Sequence, residues 1–378
     1  MTGPHVLVAR QDSAGDVLLA GPAVRAVAAS AGRVTMLCGP RGAEAAALLP
    51  GVDEVLCWHA PWIDAEPAPL RRAEVESLVD GLARRRIDQA IVLTSFHQSP
   101  LPTALLLRMA GVPTIAGISA DYPGSLLDVR RQVDEAANRH EVSRALDLVG
   151  TLGYRPPPGD DVRLAIRHQA VPAVPLPRAP YVVVHPGASV PARTWPPPRH
   201  AELVAALVER GRRVVVTGSG DEQALTALVA GPPGARGSGG LRSEALVKAP
   251  GSRAAPSVSP PVDQVTDLGG RLSLAGLAGV LAGADVVVVG NTGPAHLAAA
   301  VGTPVVSLFA PTVPAGRWHP WGVRVALLGR QDAPCAGSRA RLCPVPGHPC
   351  LESVTTEEVL AAVDSLASRP AGEEVSTR

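Results

Sequence analysis

Residues 285–309 read DVVVVGNTGPAHLAAAVGTPVVSLF, and this stretch decides the fold. The β-branched run at 286–289 predicts a buried parallel strand, and the GNTG sequence at 290–293 predicts a tight turn. Pro294 then opens a helix at a position where proline is favoured, and PVVSLF forms the next strand. The stretch is therefore predicted to be a strand–turn–helix–strand unit.

The GNTG turn is a candidate phosphate site. It presents unpaired backbone N–H groups at the positive end of a helix, where anions are stabilised. Gly293 lacks the side chain that would keep a ligand from the backbone, and His296 falls in the first helical turn beside it. Many such turns bind nothing, because ligands favour the few that lie at a topological switch point. The other turns of the chain bear on this choice.

The same alternation of strands and helices runs through the rest of the chain and predicts two α/β domains. It starts with HVLVAR, and each half contains enough strands for a doubly wound parallel sheet covered on both faces. We expect a first domain at 1–154, a proline-rich linker at 155–180 and a second domain at 181–350. A Gly/Pro/Ser-rich insertion is expected at about 231–265, and a terminal helix and tail at 351–378.

Composition excludes several classes of protein. The 378 residues are 46% hydrophobic, and 35 basic residues balance 34 acidic ones, so no nucleic-acid partner is expected. No apolar run is long enough to span a membrane, and no signal-peptide pattern opens the chain, which favours a cytoplasmic protein. Five cysteines in a chain of this kind are expected to be reduced thiols.

The first strand is followed by QDSAG and then Asp16. Two roles are open for Asp16. Aspartate is a preferred residue for capping a helix, but at this edge of a sheet it could also accept a proton from an attacking hydroxyl. The helix N-terminus would lower its pKa and weaken it as a base, unless proton transfer is late.

A second candidate phosphate site follows the strand YVVVH in the second half. Its turn contains Gly187, Ser189 and Arg193, which supply backbone N–H groups, a hydroxyl and a cation. An exposed surface position is the alternative for Arg193, and packing is the alternative for Trp195. Two phosphate sites in one half predict a diphosphate, and therefore a nucleotide-diphosphate ligand.

The turn GSGDE adds Asp221 and Glu222, which could bind ribose hydroxyls or simply cap a helix. The chain has neither a Walker lysine motif nor a GxGxxG sequence after its first strand, so ATP hydrolysis and NAD binding are not supported. No cofactor is expected.

Four stretches together resemble glycosyltransferase family 9, the ADP-heptose:lipopolysaccharide heptosyltransferases. They are VARQDSAGDVLLAGPAVRAV, HPGASVPARTWPPPRHAELV, LSLAGLAGVLAGADVVVVGNTGPAHLAAAVGTPVVSLFAP and CPVPGHPCLESVTTEEV. They occur in the family's order and span most of the chain. The resemblance implies a GT-B fold, an inverting transferase that needs no metal, and a nucleotide-diphospho-sugar donor such as ADP-heptose.

The resemblance also implies roles for individual residues. Asp16 falls on the proposed general base, and Ser13 and Gly15 lie on the acceptor side. The donor side comprises Ser189, Arg193, Glu222, Asn291, Thr292, Gly293 and His296. The family usually has lysine at the position of Arg193 and aspartate at that of Asn291, and the second difference points to a different donor sugar.

The acceptor is left open as a glycan, a glycolipid or a small metabolite, and a glycolipid would bring the protein into peripheral contact with a membrane. Trp58, His59, Trp62 and His97 are candidate acceptor contacts. A nucleotide-sugar epimerase or hydrolase, and a non-catalytic sugar-nucleotide-binding protein, are the alternative functions.

A metal site at Cys335, Cys343, Cys350 and His348 is not expected, because their spacing lacks a CxxC pair.

Overall fold

The first half of the chain forms a six-stranded parallel sheet. The computed structural model describes residues 3–64, 67–167, 174, 176–231 and 264–367. The strands of this sheet are β1 His5–Ala9, β2 Arg33–Cys38, β3 Glu54–Cys57, β4 Gln89–Val92, β5 Thr114–Ile118 and β6 Val129–Arg131. Its helices are α1 Ala14–Leu19, α2 Gly21–Ala28, α3 Ala43–Leu48, α4 Arg72–Arg85, α5 Leu101–Met109 and α6 Glu141–Thr151. The strand order is β3-β2-β1-β4-β5-β6.

The second half repeats this architecture. Its strands are β7 Tyr181–His185, β8 Arg213–Val216, β9 Val265–Asp267, β10 Val286–Gly290, β11 Val305–Leu308 and β12 Val325–Leu328. Its helices are α7 Pro197–Glu209, α8 Gln223–Ala230, α9 Leu274–Ala282, α10 Gly293–Ala300, α11 Ala315–Trp318, α12 Pro349–Glu352 and α13 Thr356–Ala367. The order is β12-β11-β10-β7-β8-β9, again all parallel. The terminal helix α13 packs into this half, against α7, β10, β11 and β12.

The strand order of each sheet reverses direction at one place. In the first sheet this switch point lies between β1 and β4, and in the second it lies between β7 and β10. Loops at the carboxyl ends of such strand pairs diverge and leave a crevice for ligands. The predicted turns after β1, β7 and β10 are thus at the two switch points.

The two halves pack together through helices beside these turns. Helix α1 contacts α10, and α3 contacts α9. Leu19 and Val142 from the first half share an apolar cluster with Ala299 and Ala300 from the second. Burial of such side chains stabilises the contact between the halves, so the turns of both sheets face a common cleft.

The start of two helices bears on the site. The helix after β1 begins at Ala14, just before Asp16, and a second segment begins at Gly21, just before Pro22. Helix α6 begins at Glu141, because the His140 ring accepts a hydrogen bond from the backbone N–H of Val142 and caps it there.

The edge strands β6 and β9 were not predicted. Each has only three residues, and their sequences VRR and VTD lack an apolar run. Strand β9 begins at Val265, at the upper end of the insertion expected at about 231–265, and residues 232–263 lie outside the described ranges. The described part of the predicted linker contains no helix or strand.

Candidate active site

Asp16 lies at the centre of the cleft and is fixed at both carboxylate oxygens. Its Oδ1 accepts hydrogen bonds from Arg10 Nη2 at 3.0 Å and from the indole Nε1 of Trp318 at 3.2 Å. Its Oδ2 accepts from Ser13 Oγ at 2.8 Å and, more weakly, from the Ser13 backbone N–H at 3.4 Å. Asp16 therefore does act at the start of α1 as a capping residue, and it also faces the second half of the protein.

Arg10, just after β1, connects Asp16 to a buried set of charges. Its Nη1 lies 3.4 Å from Glu141, and its Nη2 donates to Ser95 Oγ at 2.8 Å. Its Nε lies 2.9 Å from Asp12 without the alignment of a hydrogen bond. One guanidinium thus contacts three carboxylates in a region shielded from water, where charge interactions are strong.

The three carboxylates differ in pKa because their surroundings differ. Burial raises the pKa of Asp12 and of Glu141, and the nearby Arg10 only partly offsets this. Burial acts in the same direction on Asp16, but the charge of Arg10 and the hydrogen bond from Ser13 outweigh it, so the pKa of Asp16 is lowered. Asp16 is therefore the carboxylate that the site keeps ionised.

Two consecutive residues of α11 bring the second half onto this cluster. Arg317 is almost fully buried; it donates to Glu135 at 2.9 Å and to Asn138 at 3.1 Å, both in the first half. Its guanidinium also lies 4.4 Å from the centre of the Phe96 ring. Trp318 follows directly and reaches Asp16. These contacts join the halves beside Asp16.

The start of α1 meets the start of α10 almost without clearance. A Cβ built on Gly15 would lie 3.2 Å from Gly293 Cα and 2.8 Å from the His296 ring. His296 is buried, and its Nδ1 lacks a hydrogen-bond partner among the described residues. Burial lowers the pKa of His296 to about 4, although the charge of Asp16 opposes this, so its ring is neutral at physiological pH.

Asn291 and Thr292 follow β10. Asn291 is buried: its Nδ2 donates to the Ala310 carbonyl and its Oδ1 accepts from the Ala310 N–H, both at 3.4 Å. This amide bracket joins the turns after β10 and β11. Thr292 is half-buried and is the N-cap residue of α10.

Arg193 lies in the turn after β7, on the donor side of the predicted site. Its Nε is buried and lacks a hydrogen-bond partner within the described ranges. Burial lowers its pKa, the charge of Asp16 opposes this, and Arg341 adds to the lowering. A cation held in this way has unused capacity to bind an anion.

The segment with three cysteines supports the Arg193 turn. A ring nitrogen of His348 lies 3.1 Å from the carbonyl oxygen of Ala192, and the Ala192 N–H donates to the Arg341 carbonyl at 3.0 Å. The cysteines are free thiols, and Cys335 and Cys350 are buried. Within the described ranges, no group of His, Cys, Asp or Glu side chains has the arrangement of a metal site.

The remaining donor-side candidates differ in placement. Ser189 is exposed. Glu222 accepts a hydrogen bond from the Ser219 backbone N–H at 2.8 Å in a capping arrangement. Its side chain also fills the space beside Gly187, where a Cβ would lie only 2.0 Å from Glu222 Oε1. Asp221 is exposed and accepts a hydrogen bond from Ser219. Of the two acids, Glu222 is thus the one that takes part in a helix cap, and it also borders the Arg193 turn.

Trp195, for which packing and function were both open, is a core residue. It is 1% exposed, and its indole N–H donates to the Val354 carbonyl at 3.2 Å.

Two cavities flank the cluster in the first half. One of about 400 Å³ lies beyond β4 and β5, and His97, Gln98 and Arg144 are among its lining residues. The other, of about 240 Å³, includes His59 in its lining. The remaining acceptor candidates, Trp58 and Trp62, instead pack on each other with ring centres 5.4 Å apart.

Sequence reasoning missed several residues of this site. Arg10 and Asp12 had a usable signal, since polar side chains directly after a buried strand lie at the ligand-binding edge of the sheet. Arg317 and Trp318 had none, because only the packing of the two halves brings α11 to Asp16.

No helix in the described residues combines the length and the apolar character needed to cross a bilayer.

The chain matches the family model of glycosyltransferase family 9 (heptosyltransferase) over residues 75–234 and 251–348. It is 29% identical over 363 residues to lipopolysaccharide heptosyltransferase 1 of Pseudomonas aeruginosa, covering 90% of this chain and 87% of that protein. It is 26% identical over 219 residues to lipopolysaccharide heptosyltransferase 3 of Escherichia coli, covering 57% of this chain and 54% of that protein.

Solved structures share the fold. ADP-heptose LPS heptosyltransferase II of E. coli superposes with a TM-score of 0.67 at 21% identity, covering 96% of this chain and 98% of the other. E. coli heptosyltransferase WaaC with ADP-2-deoxy-2-fluoro heptose gives 0.64 at 21% identity, covering 96% and 99%. The predicted GT-B fold, with two Rossmann-like domains, is confirmed. The chain belongs to glycosyltransferase family 9, the heptosyltransferase family, as its sequence motifs had indicated.

Proposed function

We propose that the protein transfers heptose from ADP-heptose to a hydroxyl of a glycan or glycolipid, with inversion and with Asp16 as general base. One observation carries the proposal: Asp16 from the first half faces Arg193 and His296 from the second across one cleft. A base and an anion-binding cation on opposite sides of a cleft fit displacement of a diphosphate by a hydroxyl.

The donor is assigned to the second half. The turns after β7 and β10 supply Arg193 and the N-terminus of α10, two places that favour phosphate oxygens. The solved structure of E. coli WaaC is a complex with an ADP-sugar, ADP-2-deoxy-2-fluoro heptose, which supports the same donor class here. The acceptor is assigned to the first half, where Asp12 lines one cavity and Thr94 and Phe96 line the other.

The acceptor oxygen attacks the anomeric carbon as the bond from that carbon to the ADP oxygen breaks, and the acceptor proton passes to Asp16. Oδ2 is the oxygen suited to take it, because its partners are only the exposed Ser13 hydroxyl and, at 3.4 Å, the Ser13 backbone N–H, whereas Oδ1 is held by the buried Arg10 and by Trp318. The lowered pKa of Asp16 makes it a weak base, so proton transfer follows most of the C–O bond formation. Arg193 stabilises the charge that develops on ADP.

The test uses ADP-heptose as donor and heptose-deficient lipopolysaccharide as acceptor. Sugar transfer is followed by mass spectrometry, and ADP affinity by calorimetry. We expect Asp16→Asn to lower transfer by about 10²–10⁴-fold while ADP still binds. We expect Arg193→Ala to weaken ADP binding about tenfold or more.

Arg199→Ala is the matched control, because Arg199 is a nearby arginine of α7 in a surface pair with Glu202. Failure of the wild-type protein to bind ADP would overturn the donor assignment. Transfer by Asp16→Asn at the wild-type rate would overturn the assignment of the base. Binding without turnover on any glycan acceptor would favour a sugar-nucleotide-binding protein.

A cytoplasmic location, and peripheral membrane contact through a glycolipid acceptor, stay predictions.

A further inference from the structure

The hydrogen bond between Trp318 and Asp16 crosses from one half of the protein to the other and ends on a carboxylate in the cleft. The indole Nε1 donates to Oδ1 at 3.2 Å, and 302 positions of sequence separate the two residues. Trp318 is half-buried, and its ring lies 5.8 Å from that of Phe96 in the first half. The indole is thus held from the side while its N–H points to the carboxylate.

Arg317 anchors this indole. It is 1% exposed, it pairs with Glu135 and Asn138, and it stacks on the Phe96 ring. Because α11 has only four residues, fixing Arg317 leaves the neighbouring Trp318 little freedom. The anchor belongs to the second half, and every partner named here belongs to the first.

We propose that Trp318 is a positioning residue for the transfer reaction: it fixes Oδ1 of Asp16 so that Oδ2 faces the acceptor hydroxyl. This inference rests on the proposed role of Asp16. Since the hydrogen bond comes from the donor-binding half, Asp16 is fully oriented only when the two halves are together.

Arg10 alone does not fix this orientation, because it is shared among Asp12, Asp16 and Glu141. Trp318 donates to Asp16 alone. Fixing the angle of a base is worth a substantial part of its catalytic effect, since proton transfer depends steeply on geometry.

Trp318→Phe removes the N–H and keeps an aromatic ring against Phe96. We expect its kcat for ADP-heptose and heptose-deficient lipopolysaccharide to fall about tenfold, with the KM for ADP-heptose within about twofold of wild type. A merely structural role would instead change KM, kcat and thermal stability together.

Trp321→Phe is the matched control. Trp321 lies three residues further on; its Nε1 donates to the Val162 carbonyl in the linker at 2.9 Å rather than to a carboxylate, and its ring lies 4.4 Å from that of His140 in the first half. We expect its kcat to stay near wild type. An equal loss of kcat in both variants would overturn the inference, because it would show a general effect of loosening the interface.

A second measurement does not depend on turnover. The pKa of Asp16 is measured in the wild type and in Trp318→Phe by following the ¹³C resonance of its carboxyl carbon as the pH is changed. The resonance is assigned by its absence in Asp16→Asn. Loss of the Trp318 hydrogen bond removes one contribution that lowers the pKa of Asp16, so the midpoint moves to higher pH in Trp318→Phe. The charged or titratable groups that face Asp16 and stay in place are Arg10, Asp12, His97, Glu141, Arg193 and His296.

An unchanged midpoint in Trp318→Phe would overturn the inference, whatever the acceptor. Absence of transfer by the wild-type protein would instead count against the proposed function, while the titration would still decide whether Trp318 holds the carboxylate.

Discussion

Gly15 and Gly293 lie against each other at the starts of α1 and α10, so closely that a Cβ on Gly15 would be 3.2 Å from Gly293 Cα. The same Cβ would be 2.8 Å from the ring of His296. Asp16 and the GNTG turn are therefore held at a separation that only glycine allows at position 15.

Gly15→Ala is expected to push the two turns apart. Overpacking of this kind costs about 1–3 kcal/mol of the free energy of unfolding, and transfer activity should fall more than stability does. Denaturant unfolding and ADP release measure the two effects. Gly220→Ala is the control, since a Cβ there meets nothing within 4 Å. Equal activity in the two variants would show that the separation is not critical.

Asn291→Asp restores the residue that the family usually has, yet we expect it to destabilise this protein. The amide both donates to and accepts from Ala310, whereas a carboxylate cannot donate to the Ala310 carbonyl. A buried aspartate there would have a raised pKa in the folded protein, so stability falls as pH rises through that pKa. The expected loss is about 1–3 kcal/mol at pH 8 and less at about pH 5.

Asn291→Ala loses the same two hydrogen bonds to Ala310 without adding a charge, so its loss of stability should not depend on pH. Chemical unfolding at the two pH values compares the variants. An aspartate variant as stable as the wild type at pH 8 would show that the turn can rearrange.

His348→Ala tests whether the cysteine-bearing segment supports the donor site. The variant loses the contact with the Ala192 carbonyl, next to Arg193. One such hydrogen bond is worth about 1 kcal/mol, so ADP affinity should fall about fivefold with little change in melting temperature. Calorimetry measures this affinity. Cys343→Ala, in the same loop, should bind ADP like the wild type; a loss in Cys343→Ala alone would reverse the assignment.

The buried ring of His200 makes the free energy of unfolding depend on pH. Burial lowers its pKa to about 3, so the folded protein keeps this ring neutral while the unfolded chain protonates it at its ordinary pKa of 6.5. Its contribution to stability is therefore complete above pH 6.5 and is lost as pH falls toward 3. In His200→Leu the slope of unfolding free energy against pH should drop by up to about 1.4 kcal/mol per pH unit in this window. An unchanged slope would contradict this.

The sequence was most informative where a buried strand ends in a polar turn. Asp16, Arg193 and the GNTG turn all follow runs of apolar residues, and parallel strands bring their carboxyl ends to one edge. Their position could be predicted because it depends on local periodicity alone. The role of Asp16 stays a prediction, since position does not establish chemistry.

The contacts between the halves could not be predicted in this way. Nothing in the sequence around Trp318 indicates a partner 302 positions away. The short strand β9 was missed for a different reason: it is a polar edge strand that follows a long stretch without periodicity. Both features depend on tertiary packing, which a local pattern does not report.

The buried cluster around Asp16 has an uneven balance of charge. Arg10, Arg144 and Arg317 are its three cations, and its four carboxylates are Asp12, Asp16, Glu135 and Glu141. Fully ionised, these side chains carry one excess negative charge, and a single proton makes them neutral. A proton that Asp16 took from the acceptor would thus leave these seven side chains without net charge, and the lowered pKa of Asp16 would favour passing that proton on once the transfer is complete.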